Sequence, residues 1–181
     1  YEISLGLVGS EMCIRDRLSD FADVSERIQY LVTQVEEITK IDNFGAYLTA
    51  MLEIDAFFMN EDRHTNNIAV IYNEKTQKYE LSPFFDQGLC MFADINQDYP
   101  IDQSLEYCLE KIEAKPFSSD FDIQLDAAEE LYGVQIGFQF TFKDIQIYLQ
   151  KNSENYPREV IRRVEQLLRG QMRKYGYLMK K

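Results

Sequence analysis

The sequence is poor in positive charge. It sets 19 Lys and Arg against 31 acidic residues, giving a formal net charge of −12 and a pI near 4.5. A nucleic-acid-binding surface normally presents a basic stripe, and this composition does not supply one, so no direct nucleic-acid partner is expected. Long apolar runs are also missing: none approaches the ~20 residues of a membrane-spanning helix, and no membrane contact is expected. The three cysteines, Cys13, Cys90 and Cys108, are odd in number and form no C-x-x-C pair. That pattern argues against a zinc site or a disulfide framework and fits a reducing, cytoplasmic setting. With a single histidine, any His-based metal site or Ser-His-Asp triad has to use His64. Internal repeats and low-complexity linkers are absent. What is present is 181 residues that are 45% hydrophobic and 13% aromatic, enough for one domain with a substantial core. Without interleaved bases, the aromatics read as core rather than as a stacking platform.

Residues 1–17, "YEISLGLVGSEMCIRDR", share no periodicity with the segment from Leu18 onward. As a secretory signal they lack a basic start and a solid apolar stretch. The run "LVGSEMCIRDR" resembles the translation of one reading frame of a transposon-based sequencing adaptor, against the rival reading of an ordinary N-terminal strand. On that resemblance the native sequence is expected to begin at Leu18, inside a gene. Without residues 1–17 there remain 28 acids and 17 bases, net −11, so the acidity is not theirs.

From residue 18 the fold class expected is mainly α with one small β-hairpin. Phe21, Val24, Ile28, Leu31, Val35 and Ile38 recur at steps of three and four, one face of a helix over 21–39 capped by Ser19 or Asp20. A second helix over 44–59, capped by Asp42 or Asn43, is apolar almost all round, which places it at the centre of a core. Asp55 lies inside it and would be costly to bury unpaired. The runs "IAVIY" (68–72) and "YELSPF" (79–84) flank the polar "NEKTQK" and read as a hairpin. Gly88 comes next as a candidate special backbone position. Helices are expected over 102–112, 122–132, 140–152 with Thr141 as N-cap, and from Pro157 onward, the last carrying Gly170 in its interior.

The densest polar cluster, "NEDRHTNN" (60–67), comes directly after the most apolar helix. Asp62 and Asn67 have the D-x-x-x-x-N spacing with which kinases place a carboxylate at the attacking hydroxyl and an amide oxygen on magnesium. A second acid must hold the metal that bridges the phosphates. Asp86 in "FFDQG" lies just after the hairpin, and a hairpin returns the chain to its start. The aromatic-Asp-x-Gly order resembles the D-F-G metal acid of protein kinases.

Together, "NEDRHTNN", a hairpin and "LSPFFDQG" resemble the catalytic core of HipA-like kinases, and phosphatidylinositol kinases carry a similar D-R-H-x-x-N loop. "LEIDAFFM", and more weakly "AKPFSSDF", extend the likeness over about residues 44–122. The resemblance implies the helical C-terminal lobe of a protein-kinase-like fold over 18–181. It implies ATP and Mg²⁺ as cofactors and a Ser or Thr hydroxyl of a protein as acceptor. Some family members are toxins, which adds an antitoxin to the partners to consider. On this basis Asp62 is the catalytic acid, Asn67 and Asp86 hold metal and nucleotide, and His64 shapes the loop. Arg63, Asn60 and Asp55 are supporting residues, with Asp55 a buried partner for Arg63, His64 or a loop N–H. Such kinases also carry a phosphate-clamping loop and a strand lysine in an N-terminal lobe. Nothing before residue 44 offers either, so the chain is expected to be a fragment with little activity alone. Two other readings stay open: a non-catalytic helical interaction module, and a lipid or small-molecule kinase.

Overall fold

In the computed structural model, residues 17–180 are described; of the adaptor-like stretch 1–17 all but Arg17 lies outside them, as does Lys181. Among the described residues the chain is mainly helical, with one two-stranded antiparallel sheet. Its helices are α1 (Val24–Thr39), α2 (Phe44–Phe58), α3 (Leu105–Lys111), α4 (Phe121–Tyr132), α5 (Phe142–Lys151) and α6 (Arg158–Lys174), with 3₁₀ turns at Thr65–Asn67 and Gly176–Leu178. The strands are β1 (Val70–Asn73) and β2 (Lys78–Leu81). None of these helices is long and apolar enough to cross a membrane.

Helix α2 organises the rest, because its sequence leaves no polar stripe to face water. Phe44, Leu48, Met51 and Leu52 in its first half join a cluster with Ile28, Leu31, Val32 and Val35 of α1 and with Ile68 and Val70 at the hairpin. Ala56 and Phe57 at its other end belong to a second cluster with Phe121 and Leu125 of α4, Leu167 and Leu168 of α6, and Leu178. Each fully buried Leu or Phe of this kind contributes about 1.5–3 kcal/mol of transfer free energy. Where α2 packs against α4 the Tyr132 ring lies on Gly45: a Cβ there would stand 2.5 Å from the ring.

Several helix boundaries differ from the sequence expectation, each for a local reason. Helix α1 starts at Val24, because Asp23 in extended conformation accepts the Glu26 N–H (3.1 Å); Ser19 and Asp20 are not its cap. Ile38 continues the apolar period but is 48% exposed. Asn43 precedes α2 without a side-chain cap. The Glu36 carboxylate of α1 accepts the Phe44 and Gly45 N–H groups instead (3.0 and 3.4 Å). Thr141 does cap α5, in a reciprocal capping box with Asp144. Pro157 is the residue before α6 rather than its first turn. Gly88 needs no glycine: it carries no left-handed φ and has no atom within 4 Å of a Cβ. The special conformation falls two residues earlier, at Asp86 (φ 56°), a residue type that tolerates the left-handed region better than most.

Candidate functional site

The hairpin's register pairs Val70 with Leu81 and Asn73 with Lys78. The chain entering at Asn67 and the chain leaving at Phe85 are thereby brought side by side. Tyr47 of α2 anchors the exit, its hydroxyl hydrogen-bonded with Ser82 (3.0 Å) and its ring 5.1 Å from that of Phe84.

Two turns further along α2, Asp55 anchors the entrance. Asp55 and Arg63 are both 0% exposed. The guanidinium donates in a fork, Nε to Oδ2 (2.6 Å) and Nη2 to Oδ1 (3.0 Å). Its remaining nitrogen, Nη1, donates to the carbonyls of Asn67 (2.9 Å) and Phe85 (3.1 Å). One buried cation thus fastens the end of the D-x-x-x-x-N loop and the residue before Asp86 to the same helix. Asn60 completes the anchor by donating Nδ2 to Asp55 (2.8 Å), while its Oδ1 accepts the Asp62 N–H (3.3 Å). Burial pushes the Asp55 carboxyl above its ordinary value, and the hydrogen bonds from Arg63 and Asn60 act to lower it. The fork and the Asn60 amide together supply the pairing that a buried carboxylate requires.

Within the loop, the Asp62 carbonyl accepts both the His64 N–H (2.9 Å) and the Asn67 Nδ2 (2.9 Å). The Asn67 amide nitrogen is therefore used to close the loop, which leaves its Oδ1 as the atom able to act as a ligand. Among the described residues, Asp62, His64 and Asp86 form a group whose ligand atoms all lie within 4.8 Å of one another. Opposite ligands of one magnesium ion stand about 4.2 Å apart, close to this spacing, and Asp86 is exposed. The donors are two carboxylates and one imidazole, so two of the three residues would offer the hard oxygen that Mg²⁺ prefers.

The structure brings Asp62 and Asp86 together across the hairpin and sets Arg63, Asn60 and Asp55 beneath them. His64, expected only to shape the loop, also contributes a ring nitrogen to the cluster. Sequence reasoning assigned Lys115 no role, yet its ammonium lies 3.6 Å from Asp62 Oδ1. The one signal for it was "AKPFSSDF", where the likeness to kinases was weakest. Glu61, beside the loop, accepts a hydrogen bond from the Tyr99 hydroxyl. Burial pushes the nearby Cys90 thiol up to about 12, far from the thiolate that a nucleophilic cysteine requires.

No protein-family model, curated protein or solved structure matches the chain.

Proposed function

We propose that this chain is the C-terminal catalytic lobe of a HipA-like kinase, transferring the γ-phosphoryl of ATP to a Ser or Thr hydroxyl of a protein. The observation that carries the reading is the convergence of Asp62 and Asp86 within 4.8 Å, from opposite ends of a hairpin and tied to one buried arginine. Isolated acids at turns have no need of such a fastening; a metal and triphosphate site does, because phosphoryl transfer depends on positioning and electrostatic stabilisation. Asp62 orients the acceptor hydroxyl and takes its proton. Asp86 and Asn67 Oδ1 would hold the divalent cation, with His64 beside them. When bound, Mg²⁺ neutralises charge on the phosphate oxygens. Arg63, Asp55 and Asn60 position these groups without touching substrate. The nucleotide-clamping lobe that such an enzyme needs has no counterpart in residues 18–43.

The test is Mg²⁺-dependent transfer from labelled ATP to protein, measured on the chain joined to its nucleotide-clamping lobe. Asp62→Asn and Asp86→Asn should each lower turnover by roughly 10²–10⁴-fold. Asn is chosen at position 86 because it also tolerates a left-handed φ. Undiminished turnover in either variant removes that residue from the mechanism, and labelling of lipid in place of protein moves the acceptor to another class.

A further inference from the structure

Lys115 lies 53 residues from Asp62 in sequence, on the segment between α3 and α4. Its base is fixed and its tip is not. Gln124 of α4, itself 1% exposed, donates Nε2 to the Lys115 carbonyl (3.1 Å) and accepts the Phe117 N–H at Oε1 (3.4 Å). The Ala114 N–H is held by the Ser119 carbonyl (2.8 Å). The side chain beyond is 51% exposed and stands 3.6 Å from Asp62 Oδ1. A surface ion pair of this length contributes little to stability, typically ~0–1 kcal/mol, so stability alone gives no reason for a cation at this spot.

What surrounds it gives one. A cleft of about 410 Å³ opens beside Lys115, walled by His64, Thr65 and Arg27 as well. His64 belongs at once to this cleft and to the cluster with Asp62 and Asp86, and Lys115 lines the cleft while pairing with Asp62. The other cations nearby are engaged. Arg63 is bonded to Asp55 and to two carbonyls. Arg27 holds the carbonyls of Phe21 and Phe117 through Nε and Nη1 (both 2.8 Å). The geometry of transfer then fixes what Lys115 can touch. A hydroxyl delivering its proton to Asp62 sits about 2.6–3.2 Å from the carboxylate, and the phosphorus it attacks stands about 3–3.5 Å beyond. An ammonium beside the same carboxylate, on a flexible four-carbon stem, reaches the oxygens of that phosphoryl group without any backbone movement.

We propose that Lys115 is a catalytic residue that contacts the transferring phosphoryl group; this rests on the kinase reading above. In the step, the acceptor oxygen forms a bond to the γ-phosphorus as the bond from that phosphorus to the β–γ bridging oxygen breaks. The electron pair stays on the departing diphosphate, and the hydroxyl proton goes to Asp62. Lys115 forms no covalent bond; its charge balances the non-bridging oxygens, and Asp62 is left free to face the hydroxyl.

The test is titration of the 181-residue chain with magnesium tripolyphosphate, and separately with Mg²⁺ alone, followed by calorimetry and by the amide NMR signals of residues 62, 86 and 115. Lys115→Gln should weaken tripolyphosphate binding about fivefold or more, Lys115→Arg should recover most of it, and neither should weaken the response to Mg²⁺ alone, which loss of the ammonium beside Asp62 can only strengthen. Asp86→Asn should lose both responses. Wild-type affinity for tripolyphosphate in Lys115→Gln overturns the proposal while leaving the metal site standing. A Mg²⁺ response that survives unchanged in Asp86→Asn brings down the kinase reading separately. Absence of any tripolyphosphate binding by the wild-type chain up to about 10 mM also overturns the role of Lys115.

Discussion

Replacing Arg63 by Lys keeps the charge and removes the fork, and this isolates what the fork does. In the wild type the guanidinium satisfies both oxygens of Asp55 and the carbonyls of Asn67 and Phe85, at 0% exposure. A lysine ammonium still pairs with Asp55, so the buried carboxylate is not orphaned, but its three donors on one point cannot span the carboxylate and two carbonyls. One or two buried acceptors are left unsatisfied at about 1–3 kcal/mol each. The expected loss is therefore about 2–4 kcal/mol, against a total stability of about 5–15 kcal/mol for a domain. The variant should fold, with Tm lower by roughly 4–16 °C. Urea unfolding followed by far-UV circular dichroism measures it. A companion pair separates positioning from stability. Arg63→Met alone should be the least stable variant, by about 3–5 kcal/mol, because it strands the Asp55 charge. Asp55→Leu with Arg63→Met should recover much of that and yet bind divalent cation more weakly, since nothing then ties Asn67 and Phe85 to α2. If Arg63→Lys matches the wild type within about 0.5 kcal/mol, or the double variant binds metal normally, the anchoring role of Arg63 is refuted.

Two glycines should respond in opposite directions. Gly170 lies inside α6 with nothing within 4 Å of a Cβ, so Gly170→Ala should stabilise by about 1 kcal/mol. Gly45→Ala drives a methyl into the Tyr132 ring and should destabilise by about 1–3 kcal/mol; thermal unfolding of both checks the pair. Glu53 gives a pH test. Burial raises its pKa, although the Gln135 and Ile136 N–H groups (2.7 and 2.6 Å) bond the carboxylate and oppose the shift. A folded pKa above the unfolded one gives a stabilising contribution that is full below the unfolded pKa and is lost as pH rises through the folded one. The stability of the wild type relative to Glu53→Gln should therefore decline as pH increases from about 4.5, as read by urea unfolding at several pH values. A difference that grows with pH would refute the shift.

Much of the architecture was legible because local chemistry dictated it. Helix α2 is apolar almost all round and could only be central. The polar run "NEKTQK" between two apolar runs could only turn the chain back. Asp55 announced a buried partner by lying among Phe and Leu. What escaped the sequence depended on contacts between distant segments. Glu36 caps a helix that is not its own, Ile38 keeps the apolar period but projects to solvent at the end of α1, and in "FFDQG" the left-handed residue proved to be Asp86 rather than the obvious glycine. The site divides along the same line. Asp62, Asn67 and Asp86 lie in motifs whose spacing can be read directly. The Asn67 amide turned onto the Asp62 carbonyl, the double grip of Arg63 Nη1, and the approach of Lys115 arise from tertiary packing and have no periodic signature.

The most direct test of a shared metal site is Mn²⁺ titration of this chain, with paramagnetic broadening read at each backbone amide. If Asp62 and Asp86 surround one divalent cation, the signals of residues 62–67 and 85–87 broaden together and saturably, Mg²⁺ reverses the effect in competition, and Asp86→Asn abolishes it at both segments. Broadening spread over the acidic surface, or confined to one of the two segments and indifferent to Asp86→Asn, would contradict it.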